Sequence, residues 1–95
     1  MYLSSLSVWE IVIKNRLGRL PLPENPTSYV ISRRNWLQIE ALTFDEDDAL
    51  SDEQLPAYHR DPFDRGLISQ AISKDMTLVT PDSMIARYPV SVLWQ

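Results

Sequence analysis

The stretch His59-Arg60-Asp61-Pro62-Phe63-Asp64-Arg65-Gly66 fixes where a helix begins and sets an acid beside that helix's apolar face. Asp61 suits the N-cap. Pro62 suits the first helical position, where its missing N–H and fixed φ cost nothing. Beyond it, Phe63, Leu67, Ile68, Ala71 and Ile72 recur at helical spacing, a stripe that must find a core. Asp64 stands one turn before Ile68 and two before Ala71 and Ile72, where a core or cleft begins. Two readings fit it. It is either an acid at N3 that complements the helix dipole and reaches back to the cap amide, or a carboxylate facing a functional cleft.

Two further acids pose the same question. Glu10 is the sole ionisable residue in a run that is apolar from Val8 to Ile13, with Leu6, Ile13 and Leu17 on its side of a helix. Its carboxylate must be paired, hydrogen-bonded, protonated or bound to a cation. A pair with Lys14 at i,i+4 is the simple structural solution, although such a pair stabilises a helix by only about 0.2–0.5 kcal/mol. Asp82 follows the short β-rich run Thr77-Leu78-Val79-Thr80 and the turn residue Pro81. It is either an acid at the start of the next helix or a ligand at a strand's carboxyl end, where open α/β sheets gather their ligands.

The other elements read as scaffold. The pattern predicts a first helix from about Ser5 to Leu17 ending at Gly18, then a stiff Leu20-Pro21-Leu22-Pro23 connection. A second helix is expected over about Thr27 to Trp36, with Tyr29, Val30 and Trp36 facing inward. Ile39 to Phe44 reads as a strand, and Asp45-Glu46-Asp47-Asp48 as the solvated start of a short helix. Pro89 to Trp94 supplies a last strand. Strands alternating with helices favour an α/β layer with parallel strands.

Composition bounds the class. At 95 residues, 44% hydrophobic and 23% charged, the chain is expected to form a single domain over 1–95. With no cysteine, neither a disulfide framework nor a thiolate metal site is available, so any cation must be held by oxygen or by His59. No run is long and apolar enough for a membrane span, and no signal core follows a basic amino terminus. A cytoplasmic, unexported protein is expected. His59, the single histidine, is read as structural, and two glycines offer no phosphate loop or nucleophile elbow.

Taken together, SVWEIVIKNRLGRLPLP, LPAYHRDPFDRGLISQA and TLVTPDSMIARYPVSVLW carry Ser-x-x-Glu-x-x-x-Lys, His-x-Asp-Pro-Phe-Asp-Arg, Leu-Val-Thr-x-Asp and a terminal Leu-Trp, in that order. This set resembles the PIN-domain ribonucleases of the VapC toxin type over nearly the whole chain. The resemblance implies a PIN-like parallel sheet flanked by helices, with Glu10, Asp64 and Asp82 as catalytic and metal-binding acids and Asp61 as an accessory one. Complete members carry a first strand ending in an aspartate, whereas only Met1, Tyr2 and Leu3 precede Ser4 here. An N-terminally truncated domain is therefore expected, without the first strand and its acid. Gly66 also stands where members more often have a bulky apolar residue.

The activity implied is hydrolysis of RNA phosphodiester bonds with Mg²⁺ or Mn²⁺, in a toxin restrained by a cognate antitoxin. Net charge −4 argues against binding nucleic acid through bulk electrostatics, but a cation among carboxylates attracts phosphate locally. Arg65 is a candidate for RNA contact. Trp9 and Tyr29 are candidates for an antitoxin groove, and an unpaired sheet edge invites a homodimer or other self-association. Two alternatives stay open: a catalytically inactive PIN remnant that binds antitoxin or itself, and an unrelated α/β interaction module.

Overall fold

The computed structural model describes residues 1–79 and 84–93. Asp82 and Trp94, both singled out in the sequence, lie outside the described residues. The molecule is α/β, with short parallel strand pairs and four α-helices among the described residues. The chain divides into two compact units, Met1–Thr43 and Phe44–Gln95.

The first unit opens with β1 (Tyr2–Ser4), which pairs in parallel with β2 (Glu40–Leu42), Tyr2 opposite Glu40 and Ser4 opposite Leu42. No strand is expected before Ser4. Its three residues carry no turn signal and too short an alternation to be seen, so only the long-range partner reveals it. The buried Ser4 also caps α1 (Ser5–Arg16), its hydroxyl accepting from Leu6 N–H at 3.2 Å. Gly18, at φ 73°, takes the left-handed conformation that ends the helix, and Arg19 N–H reaches back to the Lys14 carbonyl at 2.9 Å.

Asn25 caps α2 (Pro26–Trp36), accepting from Ser28 N–H at 2.9 Å, and Pro26 fills the first position. Val30 packs inward as expected and Tyr29 is half-buried. Trp36 does not. It is 76% exposed, because it ends the helix and the chain turns away through Gln38, at φ 56°.

In the second unit, α3 (Glu46–Leu50) is followed by a 3-10 turn at Ser51–Gln54, and α4 (Pro62–Ser73) leads into β3 (Leu78–Val79). A second 3-10 turn at Ile85–Arg87 precedes β4 (Val92–Leu93), which pairs in parallel with β3. Ile68, Ile85 and Tyr88 form the core, with Leu55, Ile72, Leu78, Val90 and Val92 packed around them. α4 buries Gly66, Ile68, Ser69, Gln70 and Ala71, a face wider than the apolar stripe alone. Two polar side chains thus enter the interior, and their partners decide what the unit can tolerate.

One of those partners is an acid expected in solvent. Asp48 is fully buried, at 0% exposure. Its Oδ2 accepts from Asp45 N–H at 2.9 Å and from Gln70 Nε2 and Lys74 Nζ, both at 3.3 Å. Asp45 returns the favour by accepting from Asp48 N–H at 3.1 Å, which closes a capping box on α3. Lys74 Nζ also reaches Asp45 Oδ2 at 2.9 Å, so one ammonium ties the head of α3 to the end of α4.

This junction sets a pH window. The hydrogen bond from Lys74, then that from Asp48 N–H, holds the Asp45 carboxyl below its ordinary value of 3.8. The bond to Asp45 in turn lifts Lys74 above its ordinary 10.5, against partial desolvation. A depressed carboxyl contributes stability above its unfolded value and loses it as pH falls through the folded one. A raised ammonium contributes below its unfolded value and loses it as pH rises through the folded one. Melting temperatures of wild type and Lys74→Met should therefore differ by a constant amount at intermediate pH, the gap narrowing below pH 3.8 and above pH 10.5. A gap of the same size across the whole range would show that the ammonium is electrostatically idle.

Candidate functional site

The head of α4 is built by local chemistry. Asp61 adopts an extended backbone and its Oδ1 accepts from Phe63 N–H at 2.8 Å, while Pro62 occupies the first helical position. Asp64 consequently falls in the first turn, half-buried, where a carboxylate is favoured by the helix dipole. Asp61 is exposed and committed to its cap.

Arg65 points inward. Its Nε donates to Asp52 Oδ1 at 2.7 Å, Nη1 to the carbonyls of Pro56 and His59 at 2.9 and 3.3 Å, and Nη2 to those of Asp52 and Leu55 at 3.4 and 3.5 Å. All five guanidinium N–H groups are thereby directed at acceptors, and the side chain is only 17% exposed. Arg65 clamps the segment that leads into α4, a structural duty in place of the outward contact expected of it. Its acceptors are mostly backbone carbonyls, which leave no mark in a sequence.

His59 belongs to the same brace. The Tyr88 hydroxyl accepts from His59 N–H at 2.8 Å and lies 3.1 Å from Nδ1, an arrangement satisfied when the hydroxyl proton points at that nitrogen. Tyr88 is buried and meets Tyr58 edge to face at 5.1 Å, and the Arg87 guanidinium lies 4.3 Å from the Tyr58 ring centre. The histidine is held by an aromatic cluster that the sequence reading did not single out.

Glu10 sits in the first unit. Its Oε2 lies 3.1 Å from Lys14 Nζ, with the two side chains 25% and 50% exposed respectively. No residue of α1 is fully buried, and Trp9 beside it is 60% exposed. The apolar surroundings inferred from the Val8–Ile13 run are therefore looser than the run suggests, and the simple ion pair is the one formed.

A cation is tested by this donor set. Glu10, Asp61, Asp64 and Asp82 offer only hard oxygen donors, the chemistry that Mg²⁺ and Mn²⁺ take. Among the described residues, however, no three histidine, aspartate or glutamate side chains gather into a group able to hold a metal ion. The described residues do not by themselves make a metal centre.

A cavity of about 310 Å³ lies against the head of α4, lined by Phe44, Ala49, Asp52, Arg60, Pro62, Arg65, Gly66 and Ser69. Arg60 is exposed and makes no hydrogen bond or ion pair among the described residues, in contrast to Arg65. Comparison with protein-family models and with curated proteins returned no match. No helix of the described residues is long and apolar enough to cross a membrane.

Proposed function

We propose that this chain is a PIN-like domain of the VapC type, which hydrolyses RNA phosphodiester bonds with Mg²⁺ or Mn²⁺ through Glu10, Asp64 and Asp82. The observation that supports it most is the head of α4. Asp61 and Pro62 fix the helix start, Asp64 is set half-buried in the first turn, and α4 runs into a parallel strand pair whose first strand precedes Asp82 by three residues. Such a cation supplies an activated water and neutralises charge on a scissile phosphate. The chain's own part is to present carboxylates from rigid elements, with Asp61 fixing where Asp64 stands. Activity in the cytoplasm as a toxin, restrained by a cognate antitoxin, completes the reading.

A second reading is a catalytically inactive remnant that binds antitoxin or itself. One observation favours it: Glu10 is engaged in an ion pair with Lys14. Exposed Trp9 and Leu17, each at 60%, offer apolar surface for a partner helix or a second copy. RNA cleavage in Mn²⁺, measured against the same reaction in EDTA, separates the two readings.

A further inference from the structure

The cavity beside α4 has contents that single out a ligand chemistry. At about 310 Å³ it lies at the small end of ligand pockets, near 300–1,000 Å³. Phe44, Ala49 and Pro62 supply apolar surface, and Phe44 is a half-buried aromatic ring. Arg60 supplies a guanidinium with no partner among the described residues. Arg65 supplies nothing further, because its N–H groups are engaged. Asp52 gives Oδ1 to Arg65, and its side chain stays 44% exposed, leaving Oδ2 as an acceptor. Ser69 donates to the Gly66 carbonyl at 3.1 Å and is fully buried, so it belongs to the floor.

A flat apolar surface, one available cation and one available anionic acceptor match a nucleotide. We propose that this cavity is a nucleotide subsite for single-stranded RNA, with the base against Phe44 and Pro62 and a backbone phosphate on Arg60. The inference rests on the nuclease reading for its choice of RNA. Asp52 Oδ2 can only accept, so its partner on the base is an N–H group, which every base can present. Stacking on an aromatic ring likewise tolerates any base, so the subsite takes single-stranded RNA without a strict base preference. Arg60 stands one residue before the Asp61 cap, so a phosphate held there lies at the same end of α4 as Asp64.

The test is binding without cleavage. Fluorescein-labelled hexaadenylate is titrated with the full chain in EDTA, and anisotropy is followed at several salt concentrations. Loss of one phosphate contact in Arg60→Gln should lower the slope of log K against log salt by about 0.7, which is roughly fivefold in affinity at 0.1 M salt. Phe44→Leu keeps the apolar bulk but removes the stacking ring and should also weaken binding. Equal binding by Arg60→Gln with an unchanged salt slope overturns the subsite, as does failure of wild type to bind hexaadenylate. Circular dichroism confirms that each variant is folded. If the subsite behaves as expected yet Mn²⁺ brings no cleavage, the nuclease reading fails and the subsite stands. If cleavage occurs and Arg60→Gln binds as wild type does, the reverse holds.

Discussion

Replacing Asp48 with alanine should cost about 3 kcal/mol or more, a large share of the stability of a small protein. The carboxylate is fully buried and its Oδ2 satisfies three donors at once, Asp45 N–H, Gln70 Nε2 and Lys74 Nζ. Alanine removes the acceptor that the buried Gln70 amide, the Asp45 N–H and the Lys74 ammonium share. It also opens the capping box of α3. At roughly 4–8 °C per kcal/mol for a chain of this size, the melting temperature should fall by at least about 12 °C. Asp48→Asn keeps the shape and one acceptor and should fall between the two. Among the described residues Asp48 Oδ1 has no hydrogen-bond partner, so the site is imperfect even in the wild type. An alanine variant as stable as wild type would mean that burial of this acid is incidental to the fold.

Asp64→Asn should leave the fold intact and lower Mn²⁺-dependent RNA cleavage by roughly 10²-fold or more, the usual cost of losing a carboxylate that positions or deprotonates the attacking water. Asparagine has the same shape, and Asp61 rather than Asp64 holds the cap to Phe63 N–H. A loss of activity with an unchanged melting temperature therefore reports on chemistry. Activity within a factor of two of wild type would reduce Asp64 to an acid that complements the helix dipole.

Where the sequence was informative, the signals were local. Asp61 and Pro62 open α4 and Gly18 ends α1 as read, and the spans expected for the first two helices, Ser5 to Leu17 and Thr27 to Trp36, each differ from the observed one by a single residue at one end. The parallel pairing of β3 with β4 agrees with the alternation of strands and helices along the chain. What escaped was set by distant partners. Asp48 sits in a run of four acids that reads as solvent-facing, and it is buried because Gln70 and Lys74 arrive from α4. Arg65 looked available because its acceptors are carbonyls of the preceding segment, and Arg60 two positions from Pro62 proved to be the exposed cation. The apolar run around Glu10 suggests an enclosed acid, yet α1 buries no residue completely. The aromatic brace of Tyr58, His59 and Tyr88 joins residues some thirty positions apart, beyond any periodic signal.

The most direct measurement is end-group analysis of a labelled single-stranded RNA incubated with the purified wild-type chain, in Mn²⁺ and in EDTA. Water attack held by carboxylates leaves linear phosphate ends, whereas attack by the RNA's own 2′-hydroxyl leaves cyclic ones. The expected result is cleavage in Mn²⁺ that yields linear ends, is absent in EDTA and is lost in Asp64→Asn. RNA left intact in Mn²⁺, or cleavage that persists in EDTA with cyclic phosphate ends, would contradict metal-dependent hydrolysis by this chain.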